Sequence, residues 1–212
     1  MTDGLPFNPL DKKNLAASVG EALLERAPVQ LGNAGSFSGA GIYAIYYIGN
    51  FDAYRQLADE NRNDLWNSPI YVGKAIPSGG RKGGEQSTSS ESKSLRSRLK
   101  EHADSIRATG NLNIDDFWCR YLVVDDIWIP LGENLMISKF SPIWNVIVDG
   151  FGNHTPGAGR FQQMRSRWDV LHPGRDWAAK CKERPEPVET IVAEVKAHLR
   201  ARPKISPKLF RI

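Results

Sequence analysis

GIYAIYYIGN, residues 41–50, holds two three-letter words, Gly41-Ile42-Tyr43 and Tyr47-Ile48-Gly49, within ten positions. Its β-branched and aromatic residues read as a strand. Tyr43, Ile45 and Tyr47 fall on one face and Ile42, Ala44, Tyr46 and Ile48 on the other, so both faces are expected to be covered. At about 3.3 Å per residue, Tyr43 and Tyr47 stand roughly 13 Å apart along that face. No hairpin fits into the three residues between them, so the two words cannot converge on one reacting group. The partner of the first word is IYVGKA, residues 70–75, where Pro69 sets up a second strand. Residues 50–68 give the chain room to return beside the first strand.

Working outward, DKKNLAASVGEALLERAP, residues 11–28, repeats Leu and Ala at helical spacing and stops at a proline. Residues 51–66 read as a polar helix. The insert at 77–93 is rich in Gly and Ser and poor in apolar residues, and it is expected to stay mobile until something binds it. SLRSRLKEHADSIRAT, residues 94–109, is a helix with Ser94 as N-cap and Leu95, Leu99 and Ile106 as its apolar stripe. Arg98 and His102, four residues apart, belong at the edge of that stripe. FWCRYLVV, residues 117–124, reads as a third strand, Pro130 lies near the start of a helix through GENLMISKF, and Pro142 ends it. An irregular stretch with Arg160, Arg165, Arg167 and Arg175 follows and reads as a long functional loop region. PVETIVAEVKAHLRAR is a final amphipathic helix.

Of 212 residues, 41% are hydrophobic, enough for a real core, and no apolar run approaches the roughly 18–20 residues of a membrane span. MTDGLPFNPLDKK lacks the basic start and apolar run of a secretory signal, so a soluble, cytoplasmic protein is expected. Cys119 and Cys181 are too few and too far apart for a zinc motif or a disulfide framework and read as reduced structural thiols. The net charge of +4 is unevenly spread: residues 74–100 hold seven Lys/Arg against two Glu, and residues 194–212 six against one. Such basic segments suit a polyanion, or else form a solvated lysine-rich face.

GIY, a second strand with Y-V-G, a helix carrying Arg and a later helix carrying a single Glu, in this order, resemble the GIY-YIG nuclease superfamily over roughly residues 38–148. DFWCRYLVV, IWNVIVDGFGNHTPGAGR and WDVLHPGRDWAAKC narrow the likeness to its type II restriction endonuclease branch, whose relatives with this loop cut the palindrome CCGCGG. The resemblance implies an α+β fold, a small three-stranded, mainly antiparallel sheet flanked by helices. It divides the chain into an N-terminal helical extension (1–37), a catalytic core (38–148) and a DNA-recognition loop with a C-terminal helical extension (149–212).

Carried over position by position, the resemblance makes Tyr43 the general base that takes a proton from the attacking water. A phenol with a pKa of about 10 is a poor base at neutral pH, so a cation must lower it, and Lys74 is the first candidate. Tyr71 orients water or phosphate, or simply packs. Arg98 matches the helix arginine, whose planar fork suits a phosphate oxygen. His102 matches a histidine that hydrogen-bonds the phosphate or Tyr43. Glu133 matches the metal ligand, and one carboxylate suffices for Mg²⁺, with Mn²⁺ substituting. Asn145 either positions phosphate or a ligand water, or caps a helix end. One departure is that Pro130 and Gly132 stand directly before Glu133, where family members often have an unbroken helix.

Cleavage of a palindrome implies a homodimer on double-stranded DNA in a bacterial cytoplasm. Arg160, Arg165, Arg167 and Arg175, with Asn153 and His154, are the candidates for reading bases or holding phosphates. Two other functions share this signature: a structure-specific repair or recombination nuclease, and a catalytically silent DNA-binding protein. The first usually carries partner domains for which no motif is present, and the second leaves Tyr43, Arg98 and Glu133 without a use.

Overall fold

In the computed structural model, which describes residue 8 and residues 10–77, 92–154 and 161–202, GIYAIYY forms an interior strand buried along its whole length. The elements run α1 (Lys12–Leu24), β1 (Val29–Gln30), β2 (Gly41–Tyr47), α2 (Arg55–Asn61), β3 (Tyr71–Ala75), α3 (Ser94–Arg107), β4 (Phe117–Val123), α4 (Ile129–Phe140), α5 (Ile143–Val146), α6 (Arg167–Leu171) and α7 (Val188–Ala201). The sheet is antiparallel, in the order β1-β4-β2-β3. The three expected strands are present. A fourth, β1, pairs Val29 and Gln30 with Cys119 and Trp118; two residues are too few to show alternation in a sequence.

Period-two alternation sorts the strands into two cores. Tyr43, Ile45 and Tyr47 share one face with Tyr71, Phe117 and Cys119, covered by Leu95, Leu99 and Ile106 of α3, Trp168 of α6, and Ile191, Val195 and Leu199 of α7. Ile42, Ala44, Tyr46 and Val72 share the other with Leu23 of α1 and Ile129, Met136 and Phe140 of α4. Residues after 148 thus contribute side chains to the same core as the face that carries Tyr43 and Tyr71. Trp144 of α5 is the hub of that core: its Nε1 donates to Tyr54 Oη at 2.9 Å, and Tyr54 Oη donates to His172 Nε2 at 2.6 Å. Burial pushes the His172 imidazole down to about 3, so it is a neutral acceptor.

Both motif glycines are there because backbone and rings come too close for a side chain. A Cβ on Gly41 would run into the Leu122 carbonyl oxygen, and one on Gly73 would lie 2.5 Å from Tyr43 Cζ and 2.9 Å from Tyr71 Cε1. The register explains the second, since Gly73 is the cross-strand partner of Tyr43.

Three local expectations are corrected. The helix expected at 51–66 ends at Asn61, because Asn63, Asp64 and Trp66 take positive φ and Asn61 turns its amide onto Tyr47 O, Ser68 O and Ser68 N. Ser94 is the first residue of α3, and Ser92 Oγ accepts from its N–H. Pro130 does not disturb the helix through Glu133: it sits in the first turn, where the missing N–H costs nothing, and α4 runs unbroken from Ile129. Gly132 lets α4 press against its neighbours, since a Cβ there would be 2.7 Å from Val19 Cγ1. Cys119 and Cys181 are free and buried, and burial pushes the Cys119 thiol up to about 12. Among the described residues no helix is long and apolar enough to cross a membrane.

Candidate active site

Tyr43 and Tyr71 project from the α3-covered face on adjacent strands, their rings 6.2 Å apart. Arg98 and His102, one helical turn apart on α3, lie over them; Arg98 sits at the edge of the apolar stripe as expected, whereas His102 is fully buried. Tyr43 Oη is 2.6 Å from His102 Nε2, and both side chains are buried. His102 in turn stacks on Phe151, with centroids 4.4 Å apart and planes 18° off parallel. Tyr71 packs edge-on against both His102 and Phe151.

The electrostatics set the charge state of both partners. Burial holds His102 well below the usual imidazole range, helped by Arg98, His154 and Arg175, so the ring is neutral. Tyr43 is pushed well above the ordinary phenol range by burial first and Tyr71 second; Arg98 opposes this, and Glu133 adds to it. Tyr43 is therefore a neutral phenol sharing a hydrogen bond with a neutral imidazole. Burial likewise raises Tyr71, again with Arg98 opposing.

Lys74 does not supply the cation expected beside Tyr43. It follows Gly73 by one residue, so alternation turns it to the opposite face of β3. There its Nζ meets Glu133 Oε2 at 2.6 Å. The cation that faces Tyr43 is Arg98. Glu133, whose side chain is 14% exposed, projects from α4 and adds its negative charge to the field at both tyrosines.

As for holding a metal, Glu133 is a shielded carboxylate with a cation already against it, the Lys74 ammonium. Among the described residues no group of three or more His, Cys, Asp and Glu gathers into a cage. One carboxylate with no cage fits a hard, largely hydrated divalent ion that takes its remaining ligands from water and phosphate.

Asn145 has a partner neither expected role foresaw. Its Oδ1 accepts from Val72 N and its Nδ2 donates to Val72 O, both at 2.8 Å, so it pins the outer edge of β3 between Tyr71 and Gly73. Arg98 donates to Gly152 O at 2.6 Å, to Glu101 at 3.1 Å and toward the ring of His154. Asn153 and His154 are exposed and line a cleft of about 520 Å³ with Arg98, Phe151, Trp177 and Lys180. A larger hollow between α2 and α7, about 680 Å³, is walled partly by Asp52, Asp59 and Glu60 and contains no motif residue.

Of the expected DNA-contacting arginines, Arg160 lies outside the described residues. Arg175 is corrected: it is buried, forms a two-pronged pair with Asp169 at 2.7 Å, is sandwiched by Trp168 and Trp177, and donates to the carbonyls of Gly150, Phe151 and Asn153. Its fork is used up in shaping the loop that carries Phe151. Arg167 is held by Glu186, Glu194 and the Ile147 carbonyl, and Arg165 by the carbonyls of Ala178 and Ala179. Both arginines are thus tied to groups of their own chain. Phe151, Gly152 and Lys180 were missed. Phe151 carries one weak sequence signal, an aromatic set between two glycines in DGFGN.

The family model described as the Eco29kI GIY-YIG domain matches residues 35–199, which takes in every site residue named above. The chain belongs to that family. Its Eco29kI GIY-YIG domain runs from before β2 to within α7, so the loop around Phe151 and the helices after it are part of the domain. Membership makes the protein a restriction-type nuclease, and such a nuclease binds DNA. No curated protein matches the chain.

Proposed function

We propose that the protein is a type II restriction endonuclease that hydrolyses phosphodiester bonds in double-stranded DNA, as a homodimer with a divalent ion, Mg²⁺ or Mn²⁺. The observation that carries the reading is the Tyr43 hydroxyl 2.6 Å from a neutral, buried His102, beside Arg98. A phenol this deeply buried does not ionise on its own near neutral pH. With an acceptor on His102, it can take a proton from the attacking water while passing its own to Nε2, so that no free phenolate forms. Tyr71 flanks the same position and orients the water or a phosphate oxygen. Arg98 exchanges its contacts with His154 and Glu101 for the scissile phosphate and offsets charge as it develops there.

Glu133 would hold the ion, with Lys74 giving up its place against the carboxylate. When bound, the ion supplies charge neutralisation for the leaving 3′ oxygen. Asn145 fixes the height of β3, and with it Tyr71. The likeness of GFGNHTPGAGR to relatives that cut CCGCGG supports that palindrome as the target, with Asn153 and His154 at the cleft mouth as the nearest candidates to meet bases.

Digestion of a plasmid carrying CCGCGG sites, with and without Mg²⁺, tests the reading. Discrete fragments ending at one sequence are expected, whereas cutting confined to branches or flaps overturns it in favour of a repair nuclease. Glu133→Gln should abolish cleavage and leave DNA binding intact; a variant that still cuts refutes the metal assignment.

A further inference from the structure

The flank of α3 that faces away from Arg98 carries a second set of cations. At about 100° per residue, Arg96, Lys100 and Arg107 fall within roughly 40° of one another around the helix. Arg98 lies some 200° from Arg96 on the same measure, so the two sets address different surfaces. All three side chains are exposed. They form one wall of a groove of about 290 Å³ whose opposite wall is the turn Leu31–Gly35, with Leu99 and Ala103 between.

Three features distinguish this groove from an ordinary solvated helix face. None of the ten residues lining it is acidic, in contrast to the hollow beside α2, which has three carboxylates among its lining. Its far wall is Gly32, Asn33, Ala34 and Gly35, small residues that leave the backbone open to a bulky strand. The walls are also fixed to each other, because Arg107 donates to the Gly32 carbonyl at 3.2 Å while pairing with Asp104 at 3.0 Å. Arg96 and Lys100 have no such partner among the described residues, which leaves two uncommitted cations over a preformed groove.

We propose that this groove holds the DNA backbone at phosphates other than the scissile one. The DNA would thereby engage α3 on both flanks, Arg98 at the reacting group and Arg96 and Lys100 at a remote stretch. The proposal rests on the nuclease reading. Exposed cations on phosphates act mainly by releasing condensed counterions, so their signature is the salt dependence of binding.

The test is fluorescence anisotropy of a long labelled duplex containing CCGCGG, titrated with protein over a range of salt and without divalent ions. The proteins are wild type, Arg96→Ala/Lys100→Ala, and a control, Lys12→Ala/Lys13→Ala, which removes the same charge from the exposed start of α1. The groove variant should lose about 1.8 from the magnitude of the log K against log salt slope, two phosphates at about 0.9 each. Between 50 and 200 mM salt its affinity should then fall about twelvefold less than that of wild type. The control slope should match wild type, and all three proteins should melt together. A groove variant with the wild-type slope, or a control that shifts equally, overturns the proposal while leaving the nuclease reading standing. A wild-type protein that binds no DNA overturns both.

Discussion

Gly73→Ala is the sharpest test of how the sheet positions Tyr43 for its proposed role. The added methyl would sit 2.5 Å from Tyr43 Cζ and closer still to its hydroxyl, and 2.9 Å from Tyr71 Cε1. Carbon atoms rest at about 3.5–4.0 Å, so the Tyr43 ring must shift by about 1 Å. It has little room to do so, being wholly buried between the sheet and α3. Overpacking of this kind costs about 1–3 kcal/mol, which for a chain of this size lowers Tm by roughly 2–12 °C. A misplacement of about 1 Å at a reacting group costs on the order of 100-fold in rate. Thermal melting and single-turnover plasmid cleavage measure the two effects, with Gly110→Ala as the control, since a Cβ there meets nothing within 4 Å. Cleavage within a few-fold of wild type in a destabilised Gly73→Ala protein would refute Tyr43 as the proton acceptor. An unchanged Tm would refute the close approach itself.

Two further outcomes follow from the same structure. His172, held down to about 3, titrates near 6.5 once unfolded, so between those values the unfolded chain binds one more proton. Stability should then fall as pH drops through that window by about 1.4 kcal/mol per unit, and His172→Gln should flatten the slope of urea-derived stability against pH by one proton; an unflattened slope contradicts the buried neutral imidazole. Asn145→Ala removes both bonds to Val72, about 2 kcal/mol at about 1 kcal/mol each. Exchange of the Val72 amide should accelerate more than that of Ile45 on the neighbouring strand, and equal acceleration of both would mean the amide pair is not what pins β3.

What the sequence discloses depends on how local the cause is. Tyr43, Tyr71, Arg98 and His102 are legible because their order matches the family's motifs, and strand and helix periods are consistent with their sharing one site. The same alternation sends Lys74 to the other side, so closeness in sequence to Gly73 misleads about its neighbours. Arg167 and Arg175 read as outward loop cations because nothing in a linear chain announces that Glu186, Glu194 and Asp169 fold onto them. Asn145 is a similar case: its partner lies 73 residues away, on a backbone rather than a side chain. Only tertiary contact exposes these pairings.

The amide of Asn145 also bears on how the protein keeps to itself in the cell. β3 is the outermost strand of the sheet, and a bare outer strand offers its N–H and C=O groups as a template on which another chain can add. Here Val72 is occupied on both groups by Asn145, and the Ile70 carbonyl by the N–H of Trp144. At the other margin, β1 is only two residues long. Around Val72 the outer margin of the sheet built on GIYAIYY is thus closed to a further strand, and Asn145 is the residue that closes it.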